Sequence, residues 1–210
     1  MSGTDRPAHL LDLLEELRAI AQTGLGFSRH PFDRVRYEHL MQVVSREYAA
    51  LTDLSAEQVS ERLRAELGYA TPKVGVSAAV FDEQGRLLLV NRVQDQTWCL
   101  PGGWAEVRMT PEQSCAKEVV EESGLQVEVG PLIRIRTRLP GEFASPHTSF
   151  HLLYACRRIG GELAESIETT EPGFYDIDEP RPWHLDQHEE ARTALVHWQA
   201  NTGWYRGGTG

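Results

Sequence analysis

The sequence predicts an α/β domain with a mixed sheet that follows a small all-α domain, because two stretches of the chain differ in the period of their apolar residues. Between residues 7 and 68 the apolar side chains recur at helical spacing. From residue 73 onward, short apolar runs typical of strands are separated by turns and by two helical patterns. The pair Thr71-Pro72, which breaks helical structure, lies between the two stretches. We therefore place a helical domain at residues 1–70 and an α/β domain at residues 71–210.

Three helices are predicted in the first domain. The first has a leucine-rich apolar face and ends near residues 24–26, where two glycines occur. The second begins near Asp33, just after a proline. The third begins at Ser55, which forms a capping box with Gln58, and is expected to run to Gly68.

In the second domain, apolar runs at residues 74–81 and 86–91 flank a turn and are interpreted as a hairpin. Helices are predicted at residues 111–123 and 188–201. Further strands are predicted at residues 98–100, 126–129, 133–139, 149–157 and 174–176.

Composition excludes several classes of protein. The net charge of −10 argues against broad nucleic-acid binding, and the helical domain, with eight arginines, no lysine and eleven acidic residues, carries −3, which argues against a DNA-binding domain. Three cysteines without a CxxC pair favour neither a disulfide framework nor a zinc site, so a reducing cytoplasm is the expected compartment. The sequence shows neither a long apolar stretch nor a secretory signal, so no membrane association is expected.

Three glutamates form the candidate catalytic cluster. Glu118, Glu121 and Glu122 are spaced i, i+3 and i+4 on a predicted helix, so they project from one face. Their mutual repulsion is relieved by a hard divalent cation, which prefers oxygen ligands. The preceding pair Gly102-Gly103 lets the backbone approach the same point closely. Since runs of charge are usually exposed surface, the spacing alone leaves a solvated helix face as the alternative.

The residues around these glutamates resemble the Nudix box, whose pattern is G-x5-E-x7-R-E-U-x-E-E-x-G-U, where U is aliphatic. The matching positions are Gly103, Glu118, Val119, Glu121, Glu122, Gly124 and Leu125. The resemblance implies an α/β/α sandwich in which the three glutamates are catalytic and, with the carbonyl of Gly102, bind Mg²⁺ or Mn²⁺. It also implies hydrolysis of the pyrophosphate bond of a nucleoside diphosphate linked to another group, giving a nucleoside monophosphate and a phosphorylated product.

Two positions depart from the box. Met109 stands where the family has a glutamate, and Lys117 stands where it has an arginine. In the family these two residues pair and orient the metal-binding carboxylates, so losing both leaves no orphaned charge. Lys117 is still able to hold a neighbouring carboxylate as a point charge. One interpretation is a variant active site, and the other is a catalytically weak Nudix-fold module that binds or senses a nucleotide.

The helical domain points to one subgroup of that family. Residues 21–25 and 32–37 resemble the N-terminal helical domain of a Nudix subgroup similar to CDP-choline and ADP-ribose pyrophosphatases, and residues 102–106 and 116–119 follow the same subgroup. This resemblance implies a small nucleoside diphosphate derivative as substrate. It also implies that the helical domain takes part in a homodimer.

The remaining candidates are weaker. Candidate substrate contacts are Arg92, Trp98, Arg136 and Arg138. The arginines are able to grip phosphates and the tryptophan to stack on a base, but a solvated strand face and core packing are the ordinary alternatives. A loop carboxylate that acts as a base is common in the family, and Glu142 and Glu171 are the two candidates for it.

Overall fold

The computed structural model divides the chain into two compact units, Met1–Pro72 with Arg138–Thr148 and Lys73–Thr137 with Ser149–Gly210. We retain residues 1–70 and 71–210 as proposed functional domains. The part of the chain that the structure describes comprises residues 5–51, 54–65, 68, 70–139, 142–144 and 147–205. None of the helices in these residues is both long and apolar enough to cross a membrane.

The first unit contains three helices and a short 3-10 turn, Glu142–Ala144. The helices are α1 (Asp5–Phe27), α2 (Pro31–Ala49) and α3 (Ala56–Arg64). Ser55 and Gln58 form the predicted capping box at the start of α3. This helix ends at Arg64 and not at Gly68 as predicted, and residues 66 and 67 lie outside the described part. The apolar core of the unit consists of Leu14, Ala21, Leu25, Met41, Val44, Tyr48, Val59 and Leu63.

A buried polar network crosses the three helices. Arg18, which is 4% exposed, donates to Glu15 and, at 2.6 Å, to Gln22. Gln22 in turn donates to the carbonyl of Leu63 at 2.7 Å. The Tyr48 hydroxyl donates to Glu15 at 3.1 Å. Each polar side chain of this network thus has a partner in another turn or helix, as the burial of polar and charged groups requires.

The second unit is a mixed α/β structure with two sheets. Its strands are β1 (Lys73–Val80), β2 (Leu87–Arg92), β3 (Trp98–Cys99), β4 (Gly102–Trp104), β5 (Leu125–Arg138), β6 (Ser149–Gly161) and β7 (Thr169–Tyr175). Its helices are α4 (Pro111–Ser123), α5 (Gln187–Ala200) and α6 (Thr202–Tyr205). The sheet order is β4-β1-β6-β5 in one sheet and β3-β2-β7 in the other, with β1 parallel to β6 and antiparallel to β4.

The hairpin predicted for residues 74–81 and 86–91 is wrong. β1 pairs with β4 and β6, whereas β2 pairs with β3 and β7, and a single bridge, Phe81 to Leu87, joins the two segments. Both strands are buried almost throughout. Strands that are apolar on both faces suit the interior of different sheets, so adjacency in sequence does not fix their partners.

The alternating side chains of β1 enter two separate apolar clusters. Ala78 and Val80 pack with Cys115 and Val119 of α4. Ala79, and Phe81 just after the strand, belong to the cluster that contains Ala191 and Ala194 of α5. Helices therefore cover both sides of the strands, and the predicted α/β/α sandwich with a mixed sheet behind a helical domain is confirmed.

Candidate active site

Helix α4, which carries the three glutamates, begins and ends at strong local signals. The Thr110 hydroxyl accepts from the Gln113 N–H at 3.2 Å, and the Gln113 side chain accepts from the Thr110 N–H at 2.9 Å. Pro111 occupies the first turn, and Gly124 adopts a left-handed conformation with φ of 76° at the C-terminal end. The glutamates are thereby fixed on the last two turns of a short helix.

The glycine pair of β4 lies directly against these glutamates. A Cβ at Gly103 would stand 2.7 Å from the carboxyl carbon of Glu118. One at Gly102 would stand 2.9 Å from the Cα of Ser77 on β1. Only glycine therefore allows the strand, the glutamate and the neighbouring backbone to approach this closely.

Glu122 is the most buried of the three glutamates, with 8% exposure. Its Oε2 accepts a hydrogen bond from the Gly102 N–H at 2.8 Å. Burial raises the pKa of this carboxyl to about 8, and the charges of Glu118 and Glu168 add to the rise while the Gly102 hydrogen bond opposes it. A buried anion at this point is therefore unfavourable without a compensating positive charge.

Glu118 shares that environment and Glu121 does not. Burial raises the pKa of Glu118, and the charges of Glu121 and Glu168 raise it further. Glu121 lies more in solvent and pairs with Lys117. Within the described residues no group of three or more His, Cys, Asp or Glu side chains is already arranged around one point as metal ligands. The structure thus brings Glu118 and Glu122 together beside the glycines and directs Glu121 toward the lysine.

Lys117 is held by two carboxylates. Its Nζ lies 2.9 Å from Oε1 of Glu106 and also contacts Glu121. Hydrogen bonds to Glu121 and to Glu106 raise the pKa of this lysine. Met109, at the position of the absent glutamate, is 40% exposed. Lys117 thus holds neighbouring carboxylates, as the sequence led us to expect, but Glu106 was not identified from the sequence as one of them.

A loop carboxylate lies near the box glutamates, and it is Glu168. Its charge raises the pKa of both Glu118 and Glu122. The next residue, Thr169, donates from its hydroxyl to the carbonyl of Glu122 at 2.6 Å, and the Glu168 carbonyl accepts from the Val93 N–H at 2.9 Å. Sequence reasoning missed it because many acidic residues occur downstream of the box, and only the pairing of β7 with β2 selects one.

The two bases suggested by the sequence have other surroundings. Glu142, in the first unit, accepts from the Leu139 N–H at 2.8 Å. Glu171 has a left-handed backbone with φ of 51°, and its N–H donates to Glu165 at 3.2 Å. Neither Glu142 nor Glu171 is among the main groups that raise or lower the pKa of Glu118 or Glu122.

Two of the four candidate substrate contacts lie at the site end of β2 and β3. The charge of Arg92 lowers the pKa of Glu122, and the Arg92 guanidinium also bonds Gln94 at 2.6 Å. Trp98 packs edge-on against Tyr175 with ring centroids 4.9 Å apart, and the Arg181 guanidinium lies 5.0 Å from its ring centre. Arg92 is therefore near the glutamates, while Trp98 is engaged in an aromatic cluster.

The other two arginines are engaged elsewhere. Arg136 forms ion pairs with Asp186 at 2.8 Å and Glu189 at 2.7 Å. Arg138 is counted with the first unit and lies 5.3 Å from the ring centre of Phe143. In this structure the guanidinium of Arg136 is thus already neutralised by carboxylates that precede or belong to α5.

Comparison with known proteins agrees with this geometry. Residues 71–199 match the family model of the NUDIX domain, and residues 8–63 match a model described as a UDP-X-like, N-terminal oligomerisation domain. A putative ADP-ribose pyrophosphatase, YjhB, of Bacillus subtilis (strain 168) is 34% identical over 82% of this chain and 83% of its own length.

Two solved structures are also similar. One is a UDP-X diphosphatase with a TM-score of 0.57 and 28% identity, covering 91% of this chain and 95% of that one. The other is an ADP-ribose pyrophosphatase from Streptococcus suis 89-1591, with a TM-score of 0.54 and 32% identity, covering 62% of this chain and 95% of that one. The chain has the box residues on α4, the glycines of β4 beside Glu118, and a helical domain that matches a family model. It therefore belongs to the Nudix family and is a Nudix pyrophosphohydrolase.

Proposed function

We propose that the protein hydrolyses the pyrophosphate bond of a nucleoside diphosphate linked to a second group, with Mg²⁺ or Mn²⁺ as cofactor. The products are a nucleoside monophosphate and a phosphorylated second group. The observation that carries the proposal is the seating of Glu118 and Glu122 against Gly102 and Gly103. Two acidic groups of raised pKa in one partly buried place are typical of a site that works with a bound cation.

The residues present fit a hard divalent cation. Carboxylate and backbone oxygens are the ligands that Mg²⁺ and Mn²⁺ prefer. We propose Glu118, Glu121, Glu122 and the carbonyl of Gly102 as ligands. When bound, the cation would neutralise non-bridging phosphate oxygens and lower the pKa of a coordinated water.

The chain itself supplies positions for proton transfer and binding. We propose that one of the box glutamates, or Glu168 of the loop before β7, accepts the proton of the attacking water. Arg92, whose charge already acts on Glu122, is the strongest of the predicted phosphate contacts. Trp98, Arg136 and Arg138 stay weaker predictions, since the two arginines are not among the main charges that act on Glu118 or Glu122 and Trp98 packs within an aromatic cluster.

ADP-ribose is the first substrate to test, since one similar structure is described as an ADP-ribose pyrophosphatase and the relative from Bacillus subtilis as a putative one. UDP-linked compounds are the next substrates to test. The family model that the helical domain matches is described as UDP-X-like, and one similar structure is described as a UDP-X diphosphatase. CDP-choline is included on the resemblance of the box and the helical domain. No nucleic acid is expected as a substrate, given the net charge of −10.

A panel assay tests the proposal. The protein is incubated with ADP-ribose, UDP-sugars, CDP-choline, NADH and dinucleoside polyphosphates in Mg²⁺ or Mn²⁺, and phosphate is measured after coupling to a phosphatase. We expect turnover that chelation abolishes, and a loss of about a hundredfold or more in kcat for Glu122→Gln, which keeps a hydrogen-bond acceptor for Gly102 but removes the charge. Turnover that survives both chelation and this substitution would contradict the assignment.

A second candidate function is suggested by Met109 and Lys117. With both box positions altered, the domain would be a catalytically weak module that binds or senses a nucleotide. The Glu106–Lys117 ion pair favours the enzyme, since it supplies a charge partner for the lysine. Tight binding of ADP-ribose without hydrolysis in any metal would favour the binding module.

We further propose that the protein is a homodimer formed through α1. Leu13, Ile20 and Phe27 are exposed by 44%, 47% and 57% and recur every seven residues. Seven residues are nearly two helical turns, so the three side chains lie along one face. The match of residues 8–63 to an oligomerisation domain supports a second copy of this chain as the partner of that face.

The cytoplasm is the proposed compartment. Cys99, Cys115 and Cys156 are buried free thiols. The proposal rests on the sequence, in which an odd set of cysteines without a CxxC pair suits a reducing compartment.

A further inference from the structure

The loop between β4 and α4 holds the main chain of Glu106 in one place. The Glu106 N–H donates to the hydroxyl of Ser114, a buried residue of α4, at 3.1 Å. Its carbonyl accepts from the Met109 N–H at 3.3 Å, and the preceding Ala105 N–H donates to the carbonyl of Val74 on β1 at 2.8 Å. Glu106 is therefore fixed on both sides, to α4 and to the sheet.

This placement delivers the Glu106 carboxylate to Lys117. The Oε1 to Nζ distance is 2.9 Å. Met109, three positions further along the loop, has no charge to offer the lysine and is partly exposed. The loop therefore presents a carboxylate to position 117 from a different residue than the box pattern would.

The lysine creates a conflict that Glu106 resolves. Lys117 also contacts Glu121, one of the proposed ligands. An ammonium held by Glu121 alone would compete with a cation for that carboxylate, and would lose its only partner whenever the cation bound. Since a lysine has three donors on a flexible stem, it is able to keep one carboxylate while it releases another.

We infer that Glu106 is a positioning residue that takes over the role of the glutamate absent at position 109, holding Lys117 so that Glu121 is available to a divalent cation. The inference rests on the proposed function and adds a residue to it. Glu106 acts through Lys117 and Glu121. Residues in such supporting positions typically change metal affinity by about 10- to 100-fold when they are replaced.

The experiment measures metal affinity and catalysis separately in four proteins. Wild type, Glu106→Gln, the double variant Glu106→Gln/Met109→Glu and the control Glu128→Gln are titrated, metal-free, with Mn²⁺ by calorimetry and assayed for kcat and KM. Glu128 is a suitable control because its carboxylate belongs to the same unit and is about as exposed as that of Glu106. It pairs with Arg157 and not with Lys117.

We expect Glu106→Gln to raise the Kd for Mn²⁺ and to lower kcat by about tenfold or more, with KM for the nucleotide changed by less than about twofold. Met109→Glu should restore most of both losses, because it returns a carboxylate to the loop. Glu128→Gln should match wild type. Thermal melting of each variant separates these effects from loss of folding.

The two hypotheses fail in different ways. If the wild-type protein binds Mn²⁺ but hydrolyses none of the diphosphates, the proposed function fails while the titration still decides the role of Glu106. The inference is overturned if Glu106→Gln binds Mn²⁺ as wild type does, if Met109→Glu restores nothing, or if wild type binds no Mn²⁺.

Discussion

At the scale of single residues, the absence of a side chain at position 103 does as much for the site as the presence of the glutamates. Glu118 lies against the Gly103 backbone, where any Cβ would overlap its carboxylate. A helix bearing three glutamates but facing a bulkier strand would be the solvated face that the spacing alone suggests. The close approach of β4 to α4 therefore distinguishes this candidate site from a solvated helix face.

Gly103→Ala tests that close approach. The added methyl group must displace the Glu118 carboxylate, and a shift of about 1 Å in a catalytic group costs about a hundredfold in rate. We expect kcat to fall by that order, measured with the best substrate of the panel. Gly203→Ala is the matched control, since a Cβ there meets nothing within 4 Å. Equal activity of the two variants would mean that Glu118 has no need of its present position.

Glu168 and Glu171 provide a second comparison at this scale. The charge of Glu168 acts on both Glu118 and Glu122, whereas the Glu171 N–H donates to Glu165 and the Glu171 carbonyl accepts from Tyr175. We expect Glu168→Gln to lower kcat by about a hundredfold or more, the usual contribution of a positioned acid or base. Glu171→Gln should stay within about threefold of wild type. A larger loss of kcat in Glu171→Gln than in Glu168→Gln would instead support Glu171, the base suggested by the sequence. Glu142→Gln tests the other candidate that the sequence suggested.

At the scale of elements, the sequence predicted what local chemistry specifies. Helix α4 was placed correctly because Thr110, Gln113 and Gly124 are end signals that act within a few residues. The partners of β1 and β2 were not, since both strands are buried and their pairing depends on distant segments. Glu106 and Glu168 were missed because their importance follows from tertiary structure: Glu106 pairs with Lys117, and the charge of Glu168 acts on Glu122.

The buried network of the helical unit makes a prediction about pH. Burial alone would raise the pKa of Glu15, but hydrogen bonds and charge from His147 and Arg18 outweigh it and hold the pKa at about 2, below the ordinary 4.5. A lowered pKa stabilises the folded state above the unfolded value, and that stability is lost as the pH falls from about 4.5 toward about 2.

Glu15→Gln should therefore destabilise the protein by about 1–3 kcal/mol at neutral pH, because Arg18 keeps its burial but loses its counter-charge. The difference from wild type should shrink as the pH falls from about 4.5 toward about 2, because the carboxylate is protonated first in the unfolded chain and only near the lower value in the folded protein. Urea unfolding followed by far-UV circular dichroism measures it. Glu16→Gln, at an exposed neighbouring position, is the control. A difference independent of pH would show that packing, not charge, is the source.

At the scale of the whole molecule, charge and function are linked. The chain carries −10, and its proposed substrate is also an anion. Two anions repel each other at long range, so the protein gains nothing from electrostatic steering of a diphosphate. If the proposed cation supplies the local attraction, substrate binding should be lost along with turnover when the metal is removed.

The proposed homodimer depends on the exposed face of α1 that carries Leu13, Ile20 and Phe27. If the exposed face of α1 joins two copies, a charge at its centre should separate them, because an unpaired carboxylate in an apolar interface costs several kcal/mol. We expect light scattering to give twice the 23.6 kDa chain mass for wild type and the single mass for Ile20→Glu. Val196→Glu places the same charge on α5, where Val196 is 67% exposed, and should leave the dimer intact. A wild-type monomer at micromolar concentration, or a dimer that tolerates Ile20→Glu, would exclude this face as the interface.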